Sequence, residues 1–281
     1  MKKSILGLLV LAGITFSTSS QAQILKKIQN AAQNAAANAA NSKAEKEASE
    51  QMSGMLEGMM QSASTESEYS FPGYMVMEII VTDKKGKSDP PTRINYLLSD
   101  NSEIMGMFFL DPKASNNKTT TIMDIKNQAM VMLLENDGQK SSMSMKMNYD
   151  KIQQMVDEET SEQIEKPDYE IIKTGNTKNI LGYTCEEYLV KSEEGEGSYW
   201  VTEEPIQGFS LFSPQSNPMV SSKTMERYDS YFANAPKGTF LEMLFTAKDG
   251  EVTDMKVVEI ELDSPQKYEM SAYPNMMSGM K

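Results

Sequence analysis

Residues 119–147 read TTTIMDIKNQAMVMLLENDGQKSSMSMKM, and this stretch decides the fold class. Thr119 to Ile125 and Ala129 to Glu135 are runs rich in β-branched and apolar residues, split by the polar Lys126-Asn127-Gln128 of a tight hairpin. Asn136-Asp137-Gly138 signals a second hairpin, because Asp-Gly tolerates the left-handed backbone that a two-residue turn needs. Lys140 to Met147 then alternates, with Met143, Met145 and Met147 on one side of an extended chain and smaller or charged residues on the other. Three short strands joined by short turns are the unit of an antiparallel meander.

The pattern continues outward in both directions. Upstream, Tyr74 to Thr82 (YMVMEIIVT), Arg93 to Leu98 and Ile104 to Leu110 read as strands, with turns at Asp83-Lys84-Lys85-Gly86 and a stop at Pro90-Pro91. Downstream, strands are expected at Tyr169 to Lys173, Tyr183 to Lys191, Ser198 to Thr202, Phe240 to Ala247 and Val252 to Leu262. Two segments have helical spacing instead. Ile152, Met155 and Val156 share a face within Tyr149 to Ile164, and Met225, Tyr228 and Phe232 share one within Ser222 to Phe232. The expected fold class is mainly β (α+β): a large curved antiparallel sheet or unclosed barrel with about two packed helices.

The start of the chain has another texture. Met1-Lys2-Lys3, an apolar run from Ile5 to Phe16 and small residues at Ser20 and Ala22 fit a secretory leader, residues 1–22. The run is shorter than the roughly 20 residues that span a bilayer. Residues 23–61 are rich in Ala and Asn, and Ile28, Ala32, Ala35 and Ala39 share one helical face. This helix reads either as an assembly or docking element or as a spacer. Residues 62–70 read as a linker, 71–270 as the β domain and 271–281 as a frayed methionine-rich tail. The expected location is the periplasm or outside the cell, with no segment spanning the membrane.

Composition narrows the chemistry. The net charge is −13, moving to −15 if the leader with Lys2 and Lys3 is removed, which argues against nucleic acid and anionic membrane surfaces as partners. The chain has no histidine, so Ser-His-Asp and Cys-His triads and histidine-ligated zinc are out of reach. Its acids come as adjacent pairs, such as Glu186-Glu187 and Glu203-Glu204, and neighbours on a strand face opposite ways. Calcium-loop spacing and a phosphate-binding glycine loop are both missing. The sequence therefore assigns no catalytic residue, no cofactor and no metal site. Cys185, the single cysteine, reads as a small buried hydrophobe.

Asn179-Ile180-Leu181-Gly182-Tyr183-Thr184-Cys185-Glu186-Glu187-Tyr188, followed by Tyr199-Trp200-Val201-Thr202, forms a distinctive pattern. It resembles the signature of the family called domain of unknown function 4412, found in exported bacterial proteins. Gly182, Tyr183, Cys185, Tyr188 and Trp200 carry the resemblance, which spans residues 75–262. The family in turn resembles the lipoprotein carriers of the LolA and LolB type. That likeness implies an unclosed antiparallel barrel with helices on its concave face, and no catalytic residues.

Methionine is the remaining anomaly, at 24 residues. Thioethers make adaptable apolar surface and are also soft ligands for Cu(I). The functional expectation is a non-enzymatic envelope protein that holds a lipid, another hydrophobic ligand or an exported partner in the hollow of the sheet. The candidate ligand-binding residues are Met143, Met145, Met147, Phe209, Phe212 and Trp200. The alternatives are an assembly module using the N-terminal helix, and Cu(I) binding through the methionine clusters.

Overall fold

The computed structural model describes residues 62–111, 114–149, 169–193, 195–206 and 238–276. The chain divides at Met60/Gln61, and all the described residues belong to the second unit, Gln61–Lys281. The expected leader and the helix within 23–61 lie outside the described residues. So do the two later helices, apart from Tyr149, which has helical backbone.

Strands follow in the order β1 (Glu68–Phe71), β2 (Gly73–Thr82), β3 (Thr92–Leu98), β4 (Ile104–Asp111), β5 (Ala114–Asp124), β6 (Ala129–Asn136) and β7 (Gln139–Lys146). After the connection come β8 (Tyr169–Ile180), β9 (Tyr183–Ser192), β10 (Gly195–Thr202), β11 (Thr239–Ala247), β12 (Val252–Glu261) and β13 (Gln266–Glu269). All but β1 and β13 form one antiparallel sheet of eleven strands, ordered β7-β6-β5-β4-β3-β2-β12-β11-β10-β9-β8. It consists of two meanders, β2–β7 and β8–β12, joined where β12 pairs with β2. Strand twist of about 20–25° per neighbour accumulates over so many pairings, so a sheet of this width curls rather than lying flat. It is not closed: β7 and β8 are its two edges. Residues 147–168 therefore carry the chain from one edge of the sheet to the other.

Turn chemistry sets the hairpins. Asp137 (φ +49°) and Gly138 (φ +82°) join β6 to β7, and Leu181 (φ +52°) and Gly182 (φ +92°) join β8 to β9. Both are two-residue turns with left-handed central residues, whose twist matches that of the flanking strands. The Asn179 side chain steadies the second by accepting a hydrogen bond from the Gly182 amide, 3.0 Å.

The segment expected to be a linker is structural. It contains β1, which pairs with β13 to form a separate two-stranded ribbon, Tyr69 opposite Tyr268 and Phe71 opposite Gln266. Four-residue strands are too short for a periodicity signal, which is why the sequence hides them. The ribbon and the 3-10 turn Met270–Ala272 behind it seal one face of the first meander. Tyr69, Phe71, Tyr268 and Tyr273 pack there on Leu97, Phe108, Ile122, Val131 and Leu133. Phe71 meets Tyr268 edge-on at 6.2 Å. Gly106 makes room: a Cβ there would lie 3.0 Å from the Phe71 ring and 2.7 Å from Leu97. At the rim, the Tyr69 hydroxyl donates to the buried Asp124 carboxylate, 2.7 Å, which also accepts from the Asn127 side chain, 2.7 Å.

The supposed tail is docked as far as Asn275. Ser142 donates its amide to the Pro274 carbonyl, 2.9 Å, and its hydroxyl to that of Tyr273, 2.9 Å. Ala63 donates its amide to the Ser144 carbonyl, 3.2 Å, and the Asn275 side chain donates to the Ser144 hydroxyl, 2.8 Å. Both ends of the domain thus cover the outer edge of β7, an edge that would otherwise offer unpaired backbone groups. The opposite edge strand, β8, is interrupted between Lys173 and Thr177 by a bulge containing Gly175 (φ +83°).

Two outcomes follow. Phe71→Ala removes a fully buried ring and should cost about 3–5 kcal/mol by chemical denaturation. Leu244→Ala, at a side chain 44% exposed, should cost far less. Stability should also fall in alkali. Burial holds the Tyr96 phenol up at about 12, and a hydrogen bond to Glu259 followed by burial holds Tyr74 at about 12. Burial likewise raises Tyr69, Tyr149 and Tyr273. Phenols that ionise later in the folded state stabilise it fully below an unfolded value of about 10. That contribution disappears as pH climbs from about 10 through the folded values, so the melting temperature should be insensitive to these groups below pH 9 and drop steeply between 10 and 12.

Candidate functional site: the methionine face

Opposed residues in an antiparallel pair share a face, so the register sorts every side chain of the large sheet. Met105, Met123, Met130 and Met145 form one row across β4, β5, β6 and β7. The next row holds Tyr96, Met107, Thr121, Met132 and Met143, and Met75 extends it into β2. A third row crosses the second meander: Ile79, Met255, Met243, Tyr199, Tyr188 and Lys173. All eleven methionines of the eleven-stranded sheet lie on this face, and none on the face that holds the ribbon.

The segregation is not a matter of strand propensity, since the same strands carry both compositions. On β5 and β6 the ribbon side has Ile122, Val131 and Leu133, while the other side has Met123, Met130 and Met132. The methionine face is dry in the first meander: Met75 and Met77 are fully buried, and Met105, Met107, Met123, Met132, Met143 and Met145 are 5–8% exposed. The ribbon cannot be what buries them, because it lies on the other side.

The face changes character towards β8. Tyr199 meets Phe240 edge-on at 6.4 Å, and beyond Tyr188 the Lys173 ammonium pairs with Glu186 at 2.5 Å. Lys173 also lies 5.8 Å from the Tyr188 ring, and the Tyr188 hydroxyl donates to Glu186 at 3.4 Å. Burial pushes the Tyr188 and Tyr199 phenols above their ordinary range. The hydrogen bond to Glu186 raises the Lys173 ammonium. One continuous face thus runs from buried thioethers through tyrosines to a half-exposed ion pair.

Of the residues proposed from sequence, Met143 and Met145 lie in this array, opposite Met132 and Met130. Met147 follows β7; it is buried, and its amide donates to the Gln128 carbonyl, 2.7 Å. Phe209 and Phe212 lie outside the described residues. Trp200 is not brought together with the methionines, because its register partners Glu187 and Glu242 place it on the opposite face. There the Lys178 ammonium sits 4.1 Å over the indole and pairs with Glu242 at 2.8 Å, a cation–π contact closed by an ion pair. Cys185, opposite Lys178, is fully buried on that side. Burial raises its thiol, with Lys178 opposing and Glu204 and Glu242 adding to the shift. The signature residues therefore divide: Gly182 makes the turn, Cys185 and Trp200 pack one face, and Tyr188 lines the other.

Glu186 and Glu187 do point apart, Glu186 to Lys173 and Glu187 to the Thr174 hydroxyl, 2.9 Å, and the Asn176 amide, 2.8 Å. The remaining methionines and the Lys173–Glu186 pair escaped the candidate set because only register shows what meets across strands. Alternation along Met105/Met107 and Met130/Met132 was the signal that could have found the former.

The family described as "Domain of unknown function (DUF4412)" matches residues 71–272, and the chain belongs to it. No functionally curated protein matches the chain in sequence. Among solved structures it is similar to PNGF-II, at 14% identity over 74% of this chain and 30% of that one, with a TM-score of 0.26. It is also similar to MucB in complex with MucA(peri), at 8% identity over 82% of this chain and 60% of that one, with a TM-score of 0.31. A third is a β-barrel-like protein of domain of unknown function DUF1849 from Brucella abortus, at 8% identity over 68% of this chain and 97% of that one, with a TM-score of 0.26. The chain spans less than two thirds of the length of PNGF-II and of MucB.

Cys185 offers a direct check on this arrangement. In the native protein an aromatic disulfide reagent at pH 8 should modify it at least a hundredfold more slowly than in denaturant, since the thiol is both covered and harder to ionise.

Proposed function

We propose that the protein is a non-enzymatic component of the cell envelope that holds a hydrophobic ligand, or the apolar part of an exported partner, against the methionine face. The observation that carries this reading is the segregation of every sheet methionine onto one buried face, with the other face of the first meander sealed by the ribbon. A surface that must fit one fixed set of core side chains is best built from stiff residues, as the ribbon side is. Methionine, unbranched and polarizable, suits a surface that re-forms around a variable apolar guest. The tyrosines and the Lys173–Glu186 pair at the far end suit the polar end of an amphiphile.

The leader-like residues 1–22 support an envelope location. Among the described residues no helix is long and apolar enough to cross a membrane.

The test is to strip the purified protein of lipid and titrate it with a fluorescent long-chain fatty acid, with native mass spectrometry for stoichiometry. One ligand per chain at micromolar affinity is expected. Met107→Trp and Met132→Trp, which fill the face, should weaken binding at least tenfold and cost about 1–3 kcal/mol of stability. Wild-type protein that takes up no ligand, or tryptophan variants that bind as well as wild type, would place the function elsewhere.

A further inference from the structure

We propose that Met130, Met132, Met143 and Met145 form a Cu(I) site. These residues are two directly opposed pairs on neighbouring strands, Met130 with Met145 and Met132 with Met143. Opposed Cβ atoms in such a ladder lie about 4.5–5.5 Å apart. Successive same-face residues along one strand are about 6.5–7 Å apart. The four side chains therefore spring from the corners of a small rectangle. Each has three rotatable bonds to bring its sulfur to a common centre.

Thioethers are neutral, soft donors, and Cu(I) is the soft first-row ion they select. A thiol in an oxidising compartment is consumed by disulfide chemistry, whereas a thioether stays available as a ligand. The surroundings fit a desolvated soft cation. Met132, Met143 and Met145 are 5% exposed, while Met130 is only partly buried. Met123, opposite Met130, is a fifth sulfur, and Thr121, opposite Met132, is a hydroxyl on the same face. The rest of the sheet supplies a built-in contrast: on the ribbon side of β6 the same strand uses Val131 and Leu133, which are equally buried and carry no donor atom.

The experiment titrates full-length mature protein with Cu(I) under reductant against a chromophoric Cu(I) chelator, and separately with Ag(I), a redox-inert analogue, by native mass spectrometry. One ion per chain is expected, with no comparable uptake of Zn(II). The fourfold variant M130L/M132L/M143L/M145L keeps the face apolar and removes only sulfur. It should bind at least tenfold more weakly while its circular dichroism and melting temperature remain those of a folded protein. Should the fourfold variant fail to fold, the pairs M130L/M145L and M132L/M143L carry the same expectation. M270L, which removes a thioether beside the ribbon core, should bind as wild type does. The inference is overturned if wild type takes no Cu(I) or Ag(I) from the competitor, if the leucine variants bind undiminished, or if Zn(II) binds equally well. Uptake of a fatty acid without any uptake of Cu(I) or Ag(I) would overturn this site and leave the hydrophobic-ligand reading standing.

Discussion

The pairing of β12 with β2 is the contact on which the rest of the sheet depends. Each meander is held together by neighbours in sequence, but among the described strands only this ladder joins them, from Val252 opposite Thr82 to Glu261 opposite Tyr74. It also fixes which faces become continuous. Val257 opposite Met77 and Met255 opposite Ile79 align the methionine side of the first meander with the Met243–Tyr199–Tyr188 side of the second. A slip of one residue would turn every side chain of one half over and divide the apolar face in two. The bulge between Val257 and Glu259 absorbs the mismatch in the strand and lets Ile260 return to the face of Met75. The Tyr74 hydroxyl, donating to Glu259 at 2.7 Å, ties the two strands together beside it.

Much of this architecture was legible in the residues. Alternation in residues 119–147 and the Asp137-Gly138 turn predicted local structure, because period and turn chemistry are local properties. The joining of the meanders was not legible, since the pairing of β2 with β12 is a long-range choice among many compatible partners. The ribbon was missed for another reason. Glu68–Phe71 and Gln266–Glu269 are short and polar enough to read as connections, and Phe71 and Tyr268 become core residues only when the two segments pair and pack on the first meander. The same holds for Trp200. Its strand was predictable, but its face depends on a register set by Glu187 and Glu242.

The two faces show how one sheet supports two kinds of packing. Against the ribbon, ring edges, β-branched residues and a glycine gap at Gly106 form a fixed fit, and the polar rim at Asp124 is satisfied by Tyr69 and Asn127. On the other side the thioethers specify size and polarity without specifying shape. The same two strands, β5 and β6, thus carry both kinds of surface, one on each side.

The closure of the sheet has a temporal consequence. The ribbon needs Gln266–Glu269, and the cover over β7 needs Pro274–Asn275, both of which follow every strand of the large sheet in the chain. Until then β7 keeps a bare flank and the aromatic seal has only its N-terminal half. Synthesis from the N-terminus therefore delivers every strand of the large sheet before the two pieces that close it.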